Sequence, residues 1–108
     1  MSLHEKKCIP CEKGASPLQG EALKSLYSHI SPEWELVNEH HLYRSYKFKN
    51  FSEALSFTNK IGELAEAEGH HPDIELSWGK VILKLFTHKI DGLTDADFIF
   101  AAKCDQIS

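Results

Sequence analysis

Apolar residues recur along the chain with two different periods, and the changes of period lay out its elements. Ala22, Leu23, Leu26 and Ile30 fall at helical spacing and predict a short amphipathic helix over 20–29. Ser31-Pro32 ends it, because the residue before a proline avoids the helical region. Residues 33–37 and 42–48 then read as strands. In the second, Leu42, Arg44, Tyr46 and Phe48 share one face, opposite Tyr43, Ser45, Lys47 and Lys49. Asn38-Glu39-His40-His41 is the expected hairpin connection. Ser52 is the expected N-cap of the strongest helix, with Glu53 in its first turn. Ala54, Phe57, Ile61, Leu64, Ala65 and Glu68 trace one face of that helix, and Gly69 is its natural stop.

Two further strand-like runs follow, over 73–78 and 80–88, on either side of Gly79. In the second, Val81, Leu83, Leu85 and Thr87 alternate with Ile82, Lys84, Phe86 and His88. Asp91-Gly92 turns the chain, and Thr94-Asp95-Ala96-Asp97 resembles a capping box for a last helix running to about residue 106. The order is α-β-β-α-β-β-α. Because the hairpin connections are short, the expected fold is α+β, a four-stranded antiparallel sheet with helices on one face. Phe98, Ile99, Phe100, Ala101 and Ala102 give the last helix more apolar circumference than one packing face requires, so a homo-oligomer is expected.

Composition narrows the class. A chain of 108 residues, 42% hydrophobic and 26% charged, is in the range of one globular domain. Breakers at Pro10, Gly14 and Pro17 mark residues 1–16 as a tail, with the domain over 17–108. The longest apolar run, Phe98 to Ala102, is far below the ~20 residues of a membrane span, and the first residues lack the apolar core of a signal peptide. A cytoplasmic location is expected. The formal net charge of −4 argues against direct nucleic-acid binding, which needs a basic face.

Cys8-Ile9-Pro10-Cys11 is a C-x-x-C pair, half of a zinc site or a redox pair by spacing. No second such pair supplies the missing zinc ligands, and the pair does not open a helix after a strand as a thioredoxin-like motif does. An incidental pair remains the plainest reading.

The densest polar cluster is Glu66-Ala67-Glu68-Gly69-His70-His71-Pro72-Asp73, with His88 beyond the following hairpin. It admits three readings. His70 and His71 suit a helix C-terminus, where the dipole favours them, and Asp97 suits a capping box. As metal ligands, His70, His71, His88 and Glu66 form a fair inventory for zinc or iron, but adjacent residues in extended chain point apart. As acid–base groups, imidazoles titrate near neutrality and can move protons in the loss or addition of water. Glu66 lies one helical turn before His70 and could orient its ring. Trp34 and Trp78 offer flat apolar surface for a planar heterocycle, or simply core packing.

The spacing Glu66-x-x-x-His70-His71-Pro72, then Trp78, His88 and Asp97, resembles the signature of the pterin-4a-carbinolamine dehydratases. The likeness extends outward to Trp34, to Tyr46-Lys47-Phe48-Lys49-Asn50-Phe51, to Lys80-Val81 and to Thr87-His88, and so covers roughly residues 20–105. The N-terminal C-x-x-C lies outside it. The resemblance implies an oligomeric enzyme, without metal or bound cofactor, that removes water from a 4a-hydroxytetrahydropterin. The quinonoid dihydropterin so formed belongs to the recycling of the cofactor of aromatic amino acid hydroxylases. It further implies that His70, His71 and His88 are the active-site imidazoles, with His70 and His88 as the proton-transfer pair and His71 binding substrate. Asp97 would support one histidine, and Trp34 and Glu66 would line or orient the site. Two alternatives remain: a protein-interaction module of the coactivator kind, and a pterin-binding role in molybdenum cofactor metabolism.

Overall fold

The computed structural model describes residues 18–107. The expected tail and the Cys8–Cys11 pair lie outside them. Seven main elements follow in the expected order: α1 (Gly20–Tyr27), β1 (Glu35–Val37), β2 (His41–Lys47), α2 (Phe51–Glu68), β3 (Asp73–Ser77), β4 (Lys80–Leu85) and α3 (Asp95–Ile107). A single 3-10 turn over His88–Ile90 precedes α3.

The period-two strands pair antiparallel in the order β1-β2-β4-β3. Their register sets Leu42 opposite Leu85 and Tyr46 opposite Val81, while Ile74 faces Leu83 and Leu76 faces Val81. All seven therefore share one face of the sheet, because side chains alternate along a strand. The helices cover that face, with α2 against β3 and β4, and α3 against α2 and α1. The opposite face carries Tyr43, Ser45, Lys84, Ile82 and Glu75. Among the described residues no helix is long and apolar enough to cross a membrane.

Four details differ from the sequence expectation. The N-cap of α2 is Asn50, not Ser52: Asn50 is extended and its side chain accepts the Glu53 N–H at 2.9 Å. The Glu53 carboxylate reaches back to the Lys49 N–H at 3.1 Å, a close relative of the capping box. β4 stops at Leu85, so His88 does not close a strand. The chain leaves the sheet because Thr87 pairs instead with Gly92 in an isolated bridge, and Asp91 takes a left-handed conformation (φ 50°). Trp78 lies just beyond β3, in the two-residue turn before Lys80, and is 68% exposed. Finally, Phe98, Ile99, Phe100 and Ala101 are all buried within the single chain, so the apolar girth of α3 does not itself call for a partner.

Trp34 is fully buried, packed edge-on against Tyr46 at 6.2 Å between ring centroids. Its indole N–H donates to Asp105, near the C-terminal end of α3. Asp105 also accepts from the Arg44 guanidinium and from the Tyr46 hydroxyl, each at 2.7 Å. Burial, followed by the Asp105 charge, pushes the Tyr46 phenol well above its ordinary range, so it stays a donor. Asp105→Ala would strand three donors, one of them a largely buried cation. It is expected to lower the unfolding free energy by about 3 kcal/mol, read as a fall in the urea midpoint at unchanged slope.

Candidate active site

The site grows from the end of α2. Gly69 is left-handed (φ 66°), and the N–H groups of Gly69 and His70 both turn back to the Ala65 carbonyl. This Schellman-type termination reverses the chain sharply and leaves His70 and His71 just past the helix. The two neighbours then separate. His70 turns inward, with 14% of its side chain exposed, and its Nε2 lies 2.6 Å from Asp97 Oδ1. Its ring meets the edge of Phe100 at 5.8 Å. His71 turns outward, and its Nε2 lies 2.5 Å from Glu66 Oε2. Glu66 thus pairs with His71, not with His70 as its helical spacing suggested, because the turn at Gly69 swings His70 beneath the helix end.

Asp97 is fully buried in the first turn of α3, where the helix dipole favours a negative charge. Its Oδ2 accepts the Thr94 N–H at 2.9 Å and the Thr87 hydroxyl at 2.8 Å. The Thr94 contact is the carboxylate half of the expected capping box. The Thr94 hydroxyl instead lies 3.0 Å from that of Thr87. With Oδ2 already accepting from Thr94 and Thr87, an ionised Asp97 offers Oδ1 as an acceptor, which favours the His70 tautomer that carries its proton on Nε2.

Thr87 is extended (φ −89°, ψ 108°), so its side chain points inward to Asp97 while Phe86 and His88 project from the other side. His88 is 58% exposed, and its Nε2 stands 3.8 Å from Asp73. Gly69, His70, His71, Phe86, Thr87, His88 and Lys89 together line a cleft of about 180 Å³. The three histidines predicted from sequence therefore meet at one cleft, with Asp97 behind His70 and Glu66 beside His71. Trp34 lies in the core and Trp78 at the far end of the β3–β4 hairpin, and neither lines the cleft. The aromatic wall is Phe86, which sequence reasoning passed over as one more strand residue. Its signal was Phe86-x-His88, a period of two beside a candidate catalytic residue. Among the described residues no group of three or more His, Cys, Asp or Glu is arranged to hold a metal ion.

Residues 16–107 match the family model described as pterin 4 alpha carbinolamine dehydratase. The chain belongs to that family. A protein of Alkaliphilus metalliredigens, whose name assigns it to the pterin-4-alpha-carbinolamine dehydratases, is 61% identical over 97% of this chain and 95% of its own length. One of Rubrobacter xylanophilus with the same assignment is 56% identical over 97% of each chain. Among solved structures, a Brucella melitensis protein described as a transcriptional coactivator/pterin dehydratase superposes with a TM-score of 0.77 at 28% identity, covering 85% of this chain and 98% of that one. A pterin dehydratase-like protein described as a RuBisCO assembly factor in the alpha-carboxysome shares the fold at a TM-score of 0.59 and 22% identity, over 73% of this chain and 90% of that one.

The buried Asp97 ties this cleft to the stability of the fold. Asp97→Ala removes the acceptor of the Thr94 N–H and the partner of His70 Nε2, and should cost about 2–3 kcal/mol by urea unfolding. Thr87→Val removes one donor and keeps the volume, and should cost about 1 kcal/mol.

Proposed function

We propose that this chain dehydrates a 4a-hydroxytetrahydropterin to the quinonoid dihydropterin by histidine acid–base catalysis, within the recycling of an aromatic amino acid hydroxylase's cofactor. The reading is supported by family membership and, most directly, by His70 anchored on buried Asp97 at a cleft that His88 also lines. The ring nitrogen next to carbon 4a expels the hydroxyl as water, provided that one group protonates it and another accepts the proton the ring gives up. Buried Asp97 stabilises the imidazolium that forms when His70 Nδ1 takes a proton, which suits His70 to the second task. His88, more exposed, is suited to the first and can be reprotonated from solvent. His71, at the outer lip with Glu66, contributes binding.

Each positioned acid or base supplies about 10²–10⁴-fold. His70→Ala and His88→Ala are therefore expected to lower turnover by such factors, and His71→Ala to raise KM at nearly unchanged turnover. Stopped-flow absorbance on substrate generated in place, with a metal chelator present, measures all three. The opposite division among the variants would overturn the roles. A wild-type rate no faster than the uncatalysed one would overturn the activity and move the interaction-module reading to first place.

A homo-oligomer is part of the same proposal. It is supported by Phe51 and Leu55, one turn apart on α2, which are 44% and 40% exposed despite their size. Light scattering at micromolar concentration should give a mass above that of the 12.3 kDa chain, and a monomeric mass would count against it.

A further inference from the structure

His70 and His88 are held in different ways. His70 is fixed by a 2.6 Å hydrogen bond to a fully buried carboxylate. His88 has no such anchor: Asp73, at 3.8 Å, is beyond hydrogen-bond reach, and both side chains are more than half exposed. An exposed imidazole without a polar tether samples several rotamers, and a proton-transfer group needs one of them.

The close contact to the His88 ring is aromatic. Phe86 lies 4.2 Å away between centroids, with the planes tilted by 44°. The extended backbone of Thr87 puts both rings on the same side of the chain. Phe86 is in turn bracketed by the His40 ring at 4.8 Å and by the Lys84 ammonium, 5.4 Å from its centroid. His40, in the turn between β1 and β2, is itself tied down, with Nε2 2.7 Å from Asp91 and Nδ1 3.0 Å from His41 Nδ1. Asp91 closes the circuit. It ends the 3-10 turn that His88 begins, and its backbone N–H donates to the His88 carbonyl at 3.3 Å. One loop of contacts thus runs from His88 to Phe86, to His40, to Asp91 and back into the turn that carries His88. None of Phe86, His40 and Asp91 belongs to the Glu66-to-Asp97 signature.

We propose that Phe86 is the positioning residue for His88, and that the His40–Asp91 pair holds Phe86 and the His88 turn in register. The effect on catalysis rests on His88 being a proton-transfer group; the effect on its ring orientation does not. Phe86 also joins the core, against which it packs, to the cleft wall. Ring stacking, and not bulk alone, is therefore what substitution must remove.

The test pairs proton NMR of the His88 ring with steady-state dehydration kinetics, in wild type, Phe86→Leu, Phe86→Tyr and His40→Ala. Phe86 shields the His88 ring protons in wild type. Phe86→Leu should abolish that shielding and lower kcat about tenfold with KM little changed. Phe86→Tyr should restore both. His40→Ala, on a surface turn that keeps the experiment open if the leucine variant folds poorly, should shift the His88 resonances the same way by a smaller amount. His88 resonances unmoved in Phe86→Leu and His40→Ala would overturn the proposal, as would an active wild type whose kcat survives Phe86→Leu. The spectroscopic arm needs no substrate. A wild type inactive on the pterin, whose His88 resonances respond as stated, would defeat the functional reading and leave the positioning role standing.

Discussion

A carboxylate with no access to water must be surrounded by donors, because an uncompensated buried charge costs several kcal/mol. Asp97 meets that demand with donors from three separate stretches: the Thr94 N–H at the start of α3, the Thr87 hydroxyl beyond β4, and His70 beyond α2. Each donor can arrive only if its own segment ends where it does. The helix stop at Gly69, the departure of the chain from the sheet after Leu85, and the start of α3 are thereby bound to one another. One carboxylate completes a helix start through Oδ2 and orients His70 through Oδ1, so folding and the preparation of the site are coupled.

A second acidic side chain does the corresponding work at the other end of α3. Asp105 gathers the Trp34 indole, the Arg44 guanidinium and the Tyr46 hydroxyl. About 12 Å of helix separates the two acids along the axis. One ties α3 to α2 and the end of β4, the other to β2 and the segment leading into β1. Between them Phe98, Ile99, Phe100, Ala101 and Cys104 are buried. α3 is in this sense a rod pinned at both ends by charge and along its length by apolar contact.

Most of the architecture was legible because period and punctuation agreed. The alternation over 42–48 and 80–85 gave correct faces, and Gly69 gave the correct helix end. What failed was local competition between equivalent signals. Asn50 and Ser52 are equally good caps, and the bond from Glu53 back to Lys49 favours the earlier start. His88 looked like a strand residue because the alternation runs on past Leu85, whereas the exit from the sheet depends on the Thr87–Gly92 bridge and the left-handed Asp91. Spacing matched to a family singled out His70, His71, His88 and Asp97, and the fold brings the three histidines to one cleft with Asp97 behind His70. The tryptophans show the limit of residue type: Trp34 and Trp78 have the same chemistry, one lies in the core and one at a distant turn, and the aromatic beside the histidines is Phe86. The partner of Glu66 was missed because helical spacing no longer applies beyond a left-handed residue.

The termination at Gly69 has a consequence for how such chains can vary in length. Inserting one residue within α2 would turn everything beyond it by about 100° and advance it by about 1.5 Å. His70 would then leave Asp97, and the buried residues of α2 beyond the insertion would turn away from the core with it. The turn at Trp78-Gly79 sets no such angular phase, and a longer hairpin there need only keep the 2.8 Å bond from the Phe48 N–H to the Gly79 carbonyl. Insertions and deletions should therefore be excluded from the eighteen residues of α2 and tolerated at the far hairpin turn. Alignment gaps along such chains would then map which segments set the angular phase of the site.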